Sequence, residues 1–385
     1  MSAGGGISPA TEEAVCAGLA SAAEQGRRVL VVGTAVDLRD RSPDAPGVDV
    51  MWTTSMTGVT EYEPADMTLT AQAGTRLSEI AEALEPHGQW LPFDPPRVSD
   101  RTVGGLVASA ASGPLWCGYG APRDHTLGCT LVTGDGRVLR LGGRVMKNVA
   151  GFDLLKLVVG SRGSLGVVTS VTLRVFPRPA AELVLEATGP AGDLALAAPH
   201  VAMAPVLPAS AVLWRDAGST DGRLVIRLHG AADSVQAEAR LIRNHLKDRA
   251  LGLTLETVEA ERAPEVVAGA CDAAFSGTVV RFSGLPALLP RTWVRVAETF
   301  PAATLVADVM SGRMRAATDE PVDADTLRTA RAEAEAADTS LILARASADL
   351  FREVGVHGRR DDLGLSRALR QQFDPTGVLV GGGEA

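Results

Sequence analysis

Between Thr102 and Pro179 the chain carries an ordered series of glycines that limits what it can fold into. Gly104-Gly105 opens an apolar segment of small residues. Lys147-Asn148-Val149-Ala150-Gly151-Phe152-Asp153 follows a predicted strand, and Gly160-Ser161-Arg162-Gly163-Ser164-Leu165-Gly166 leads into another, from Val167 to Phe176. Glycine lets a backbone turn tightly and approach a ligand closely. Free N–H groups in such loops cradle phosphate oxygens. Any one of these glycines reads as a turn. Their density and order point instead to a segment that holds the diphosphate of a dinucleotide.

Other phosphate-binding patterns are missing. No G-x-x-x-x-G-K-[ST] occurs, which argues against a P-loop nucleotidase. Gly134-Asp135-Gly136 lacks the third glycine of a nicotinamide-binding fingerprint. It reads better as the turn of a hairpin between Cys129–Val132 and Val138–Leu141. The six histidines show no metal-ligand spacing, and Cys16, Cys117, Cys129 and Cys271 form no C-x-x-C pair. No metal or iron–sulfur site is therefore expected on this chain. No G-x-S-x-G elbow is present either. His125 is expected to be a solvated loop residue. Lys147, Asn148 and Asp153 could orient polar ligand groups; capping and ion pairing are the plainer roles.

At 385 residues the chain suggests two domains. A formal charge of −9 with no basic block argues against nucleic acid and anionic membrane surfaces. With 4% aromatic residues, stacking platforms for single strands are not expected. The N-terminus has neither the basic start nor the apolar core of a signal peptide. The most apolar window, Leu194 to Trp214, is interrupted by Pro199, Pro205 and Pro208, so it reads as helix, turn and strand rather than a membrane span.

In chain order, Thr11–Gln25 is a predicted helix, and Arg28–Gly33, Val48–Thr53 and Thr68–Ala73 are predicted strands. Tyr62 to Asp66 is a polar turn. Thr75 is placed to cap a helix running to Pro86. Trp90 to Pro96 is stiff and extended, because each proline biases its predecessor away from the helix. Beyond Pro179, strands at Glu182–Glu186, Ala211–Trp214, Leu224–Leu228, Thr278–Phe282, Thr304–Ala307 and Leu341–Arg345 mix with helices such as Asp233–Leu246 and Asp325–Ala337. That mixture predicts an α+β fold. Asp361–Phe373 is a last helix, after which the chain trails off.

Taken in order, these segments resemble a known family. The residues that carry the likeness are Pro64-Ala65-Asp66, Gly74-Thr75, Pro95-Pro96, Thr102 to Gly105, Ser112-Gly113-Pro114, Arg123-Asp124, Gly128, Asp135-Gly136, Lys147 to Asp153, Gly160 to Thr169 and Gln371 to Val378. The chain resembles the PCMH-type FAD-binding domain of the vanillyl-alcohol-oxidase superfamily, and within it the E-type subunits of glycolate oxidase. The likeness is strong over roughly residues 60–180 and only architectural over 180–345. It implies a PCMH-type FAD-binding domain over 1–180, made of two α+β subdomains at about 1–60 and 61–180. An α+β cap domain would follow over 181–345, and a C-terminal segment, 346–385, would return to the FAD domain.

The resemblance also implies a site. The first turn with Gly33, together with Gly104 and Gly105, would face the diphosphate. Pro95, Thr102, Ser109, Ser112, Gly113, Gly120, Asp124, Gly160, Gly163, Val167 and Val168 would border FAD, with Lys147, Asn148, Gly151 and Asp153 close by. The first turn holds no histidine, so the FAD would be noncovalent. No catalytic base stands out. Against the family pattern, the first turn keeps only Gly33, and the cap lacks a His-x-His metal motif. The implied partners are a D-type flavin subunit and an iron–sulfur subunit, and the implied substrate is a small 2-hydroxy acid such as glycolate. The chain would be cytoplasmic, without membrane insertion of its own, and could reach the inner membrane face through such a complex. Two alternatives stay open at this stage: a self-sufficient FAD oxidase of a small alcohol or hydroxy acid, and a scaffold that has lost FAD.

Overall fold

The strands gather into four sheets in the computed structural model, which describes residues 6–36, 47–143, 153–249, 252–356 and 363–381. The first sheet is parallel. It contains β1 (Gly6–Ile7), β2 (Arg28–Val32) and β3 (Val48–Trp52). Helix α1 (Glu12–Glu24) joins β1 to β2. The Thr11 hydroxyl caps it by accepting the Ala14 N–H at 3.2 Å. Val15, Leu19 and Ala22 on its inner face pack with Met51, Val132 and Val167.

The next strands are β4 (Val59–Glu63), β5 (Thr68–Gln72), β6 (Gln89–Trp90), β7 (Thr126–Val132), β8 (Val138–Gly142), β9 (Val167–Arg174) and β10 (Phe176–Pro177). Five of them form an antiparallel sheet in the order β4-β5-β9-β7-β8, while β6 and β10 pair separately. Helices α2 (Leu77–Leu84) and α3 (Val103–Ser109) cover this sheet through Ile80, Leu84, Leu106 and Val107. Single turns α4 (Trp116–Tyr119), α5 (Pro122–His125) and α6 (Leu155–Val158) complete the region.

The third part is one antiparallel sheet. Its strands are β11 (Ala181–Pro190), β12 (Ser210–Arg215), β13 (Asp221–Gly230), β14 (Glu256–Thr257), β15 (Thr278–Ser283), β16 (Thr304–Asp308), β17 (Arg313–Thr318) and β18 (Ser340–Arg345), in the order β14-β11-β13-β12-β16-β17-β15-β18. The helices are α7 (Ala191–Ala202), α8 (Ala232–Lys247), α9 (Ala263–Asp272), α10 (Leu289–Thr299), α11 (Ala324–Ala336) and α12 (Ala348–Val354). The period-two alternation of a strand decides what each face meets. Met314 and Ala316 of β17 enter a core with Trp293 and Leu327, so Arg313 and Arg315 fall on the opposite face. Finally α13 (Leu363–Phe373) leads to β19 (Leu379–Val380), which pairs in parallel with β2.

The α+β content matches the expectation from sequence. Several local expectations are corrected. Thr75 does not cap α2. Its hydroxyl donates to the Gln72 carbonyl at 2.6 Å and accepts from Gly58 N–H, and the helix begins at Leu77 without a side-chain cap. His125 is buried, 5% exposed, with Nε2 2.6 Å from the Tyr119 carbonyl. Burial holds its pKa below the ordinary value. Tyr62-Glu63 belongs to strand β4, and the turn begins only at Pro64. The segment after α13 does not simply trail off, since β19 extends the first sheet. Among the described residues no helix is long and apolar enough to cross a membrane.

Candidate functional site

A cavity of about 1210 Å³ lies where three parts of the chain meet. Its floor is the turn after β2 (Gly33, Thr34, Ala35, Val36) and the start of α3 (Thr102, Gly104, Gly105). One side is Ser109 to Pro114 together with Gly160 to Gly166. The roof is the face of the large sheet that carries Arg281, Ser283, Asp308, Arg313, Arg315 and Arg345. Ser366, Leu369 and Arg370 on α13, one helical turn apart, close one end.

Close backbone packing shapes the floor. Thr102 caps α3 by accepting the Gly105 N–H at 3.2 Å. A Cβ on Gly33 would stand 2.4 Å from the Thr102 hydroxyl. One on Gly104 would stand 2.6 Å from the Ala73 Cβ and 2.8 Å from the Ala73 carbonyl oxygen. The two segments can meet only if both positions are glycine. Ala35, Ala110 and Arg162 all have left-handed backbone, at φ 57°, 49° and 53°. Non-glycine residues held this way cost about 1–3 kcal/mol each and cluster at ligand sites. Among the described residues, the N–H groups of Thr34 and Ala35 donate to no protein acceptor.

Ten of the residues expected at the site line this cavity: Gly33, Thr102, Gly104, Gly105, Ser109, Ser112, Gly113, Gly160, Gly163 and Val168. Four others do not. Val167 alternates to the opposite face of β9 and packs with α1. Asp124 accepts the Ala121 N–H at 2.9 Å and fixes its own turn. Gly120 sits at φ 97° beside the His125 ring, and Asp153 is exposed. Pro96, not Pro95, reaches the cavity. Lys147, Asn148 and Gly151 lie outside the described residues.

The arginine roof was not legible in the sequence. Seven arginines and a single acid, Asp308, line the cavity among the described residues. Arg281 and Arg315 are direct cross-strand partners on β15 and β17. Burial lowers the Arg281 pKa to about 10, assisted by Arg162, Arg313 and Arg315. Its buried Nε has no hydrogen-bond partner. Arg315 donates to the Cys271 carbonyl at 3.0 Å. Arg313 donates to the Ser112 hydroxyl at 3.3 Å and lies 4.1 Å from the Trp116 ring centre, so it ties the roof to the side wall. Asp308 is buried, which raises its pKa. Its carboxylate accepts Ser311 Oγ–H at 2.6 Å and Met310 N–H at 3.1 Å.

A second tie between the parts is Asp94. Its carboxylate accepts the Leu115 N–H at 3.0 Å, lies 3.4 Å from Arg227 Nη1, and receives the Cys271 thiol at 3.5 Å. Burial pushes its pKa from 3.8 up to about 6, against the pull of Arg227. The native state therefore holds this proton more tightly than the unfolded chain does. The stability it contributes is full below about pH 4 and is lost as pH rises through about 6. At about 1.4 kcal/mol per unit, the loss is on the order of 3 kcal/mol. Denaturant unfolding at pH 4 and pH 7 should show this fall in the wild type, and Asp94→Asn should lack it. Equal slopes in the two proteins would refute the assignment.

These residues fit a dinucleotide. The cavity exceeds the roughly 300–1,000 Å³ of ordinary ligand sites. Its floor offers free N–H donors beside closely packed backbone, and its roof is cationic. Residues 5–142 match the family model described as FAD binding domain, the kind of domain that the ordered motifs resemble. Among curated proteins it is similar to glycolate oxidase subunit GlcE of Escherichia coli K12, at 41% identity over 186 residues, or 48% of this chain and 51% of that one. It is also similar to glycolate oxidase subunit GlcD of Bacillus subtilis, at 35% identity over 32% of this chain and 26% of that one. D-lactate dehydrogenase of Archaeoglobus fulgidus matches at 35% identity over 45% of this chain and 38% of that one. The chain thus spans about half the length, or less, of these relatives. Among solved structures, alkyldihydroxyacetonephosphate synthase superposes over 97% of this chain and 75% of its own, with a TM-score of 0.68 and 16% identity. This last likeness concerns the fold alone.

Proposed function

We propose that the chain is an FAD-dependent oxidoreductase subunit of the kind found in glycolate-oxidase-like complexes, binding FAD noncovalently in the cavity and contributing to the oxidation of a 2-hydroxy acid. The observation that carries this reading is the floor of the cavity, where Thr34 and Ala35 N–H groups stand free beside the Gly33–Thr102 and Gly104–Ala73 contacts. Backbone donors of this kind suit a diphosphate. Ser109, Ser112, Gly113, Gly160, Gly163 and Val168 would border the rest of the cofactor. When bound, FAD would supply the redox chemistry as the hydride acceptor. The chain's own residues bind, orient and exclude water. The roof guanidiniums would hold a carboxylate in bidentate fashion. Asp308 is occupied by Ser311 and Met310, and no other carboxylate among the described residues lines the cavity. In the proposed complex the proton-accepting base would come from the D-type partner subunit, and electrons would leave through an iron–sulfur partner.

The test is anaerobic titration of the FAD-loaded chain with glycolate or D-lactate, alone and with its D-type partner. Bleaching of this chain's flavin only in the presence of the partner is the expected result. Bleaching by substrate alone would make the chain self-sufficient, and no bleaching in either case would remove its redox role.

A further inference from the structure

The roof carries more positive charge than a cofactor diphosphate can neutralise. The charges that act on Arg281 are those of Arg162, Arg313 and Arg315, with no acid among them, while an FAD diphosphate brings two negative charges. The surplus is concentrated at one point. Arg281 on β15 and Arg315 on β17 are direct cross-strand partners, and like charges so placed destabilise a sheet. Asp308 stands opposite Arg313, not Arg281. Arg281 has no acidic partner among the described residues, and its buried Nε is unsatisfied. Leaving a buried donor unmatched is costly, so the arrangement lowers stability unless an anion completes it.

We infer that Arg281 and Arg315, flanked by Arg313, form an anion site for a small dianion, so that the acid handled in this cavity bears a second anionic group besides the carboxylate next to its hydroxyl. This inference rests on the proposed function for the redox role of the cavity but goes beyond it in assigning substrate charge. Paired guanidiniums on adjacent strands present forked donors that match carboxylate or phosphate oxygens. Burial lowers the pKa of Arg281, and the neighbouring Arg162, Arg313 and Arg315 lower it further. A monoanion such as glycolate would leave part of this surplus unmet, whereas a hydroxy-dicarboxylate or a phosphorylated hydroxy acid would meet it.

The experiment uses the FAD-loaded full chain at fixed ionic strength. Acetate, malonate and inorganic phosphate serve as unreactive probes, followed by the rise in Tm and by perturbation of the flavin spectrum. Malonate is expected to bind about tenfold or more tightly than acetate, the scale of one added charge-assisted pair. Phosphate binding in place of malonate would keep the dianion site and identify the second group as phosphate. Arg281→Met should raise the probe-free Tm, because it relieves like-charge repulsion, and should abolish the malonate or phosphate response. Arg281→Lys should retain part of the response. The inference is overturned if acetate binds as tightly as the dianions, or if Arg281→Met leaves the response intact. It is equally overturned if Arg281→Met sheds FAD, which would assign the arginine to the cofactor. A wild-type chain that takes up no flavin would sink the cofactor reading instead, and the Tm response to malonate is measured independently of it.

Discussion

Replacing Gly104 with valine is expected to weaken FAD binding by about 10- to 100-fold while the chain still folds. The reason is steric. Gly104 donates its N–H to the Ala73 carbonyl at 2.8 Å, and a Cβ there would lie 2.6 Å from the Ala73 Cβ and 2.8 Å from the same carbonyl oxygen. Neither neighbour is a flexible side-chain end that can swing away. The start of α3 must move off β5, taking with it Thr102, Gly105 and the Thr102 contact with Gly33. Overpacking of this kind costs about 1–3 kcal/mol, and each 1.4 kcal/mol is tenfold in affinity. Gly192→Ala is the matched control, since nothing lies within 4 Å of its Cβ position. Fluorescence titration with FAD on both variants makes the comparison. Unchanged affinity in Gly104→Val would mean that the floor of the cavity does not hold the cofactor.

The second large effect concerns Asp374. Its side chain is 4% exposed residue-wide and accepts three hydrogen bonds: Thr376 Oγ–H at 3.0 Å, Val378 N–H at 3.0 Å and Leu379 N–H at 2.8 Å. These bonds turn the chain after α13 so that β19 can pair with β2. The same carboxylate packs against Gly134 in the hairpin turn between β7 and β8. Asp374→Ala leaves two buried backbone donors unmatched, at about 1–3 kcal/mol each. A loss of about 2–5 kcal/mol in denaturant unfolding is expected. FAD affinity should fall as well, because Arg370 and Gly381 on either side of β19 line the cavity. Asp374→Asn keeps one acceptor oxygen and should lose less. A stability within 0.5 kcal/mol of wild type, the scale of an ordinary surface change, would contradict this role.

Particular residues show what could be read from the sequence. The strands of the large sheet were visible because buried β-branched runs such as Thr278-Val279-Val280 announce themselves. The cavity floor was visible because close backbone approach leaves a glycine signature, as at Gly33 and Gly104. Strand β17 was missed: Arg-Met-Arg-Ala-Ala-Thr holds no β-branched residue before its last position. Its two arginines therefore drew no reading of their own, and they roof the cavity. The hidden information is long-range, since only the register of β17 against β15 reveals that Arg315 meets Arg281. Thr75 and His125 were misread for the same reason, each being bound by partners outside its own helix or turn. The glycines around Leu379-Val380 masked a strand that needs Asp374 and β2 to exist.

The most direct measurement is a titration of the purified chain with FAD, followed by the visible flavin spectrum after excess cofactor is removed. Stoichiometric retention of flavin, released on denaturation as free FAD, is the result this structure predicts. A chain that stays colourless after soaking, with Gly104→Val and wild type indistinguishable, would contradict it.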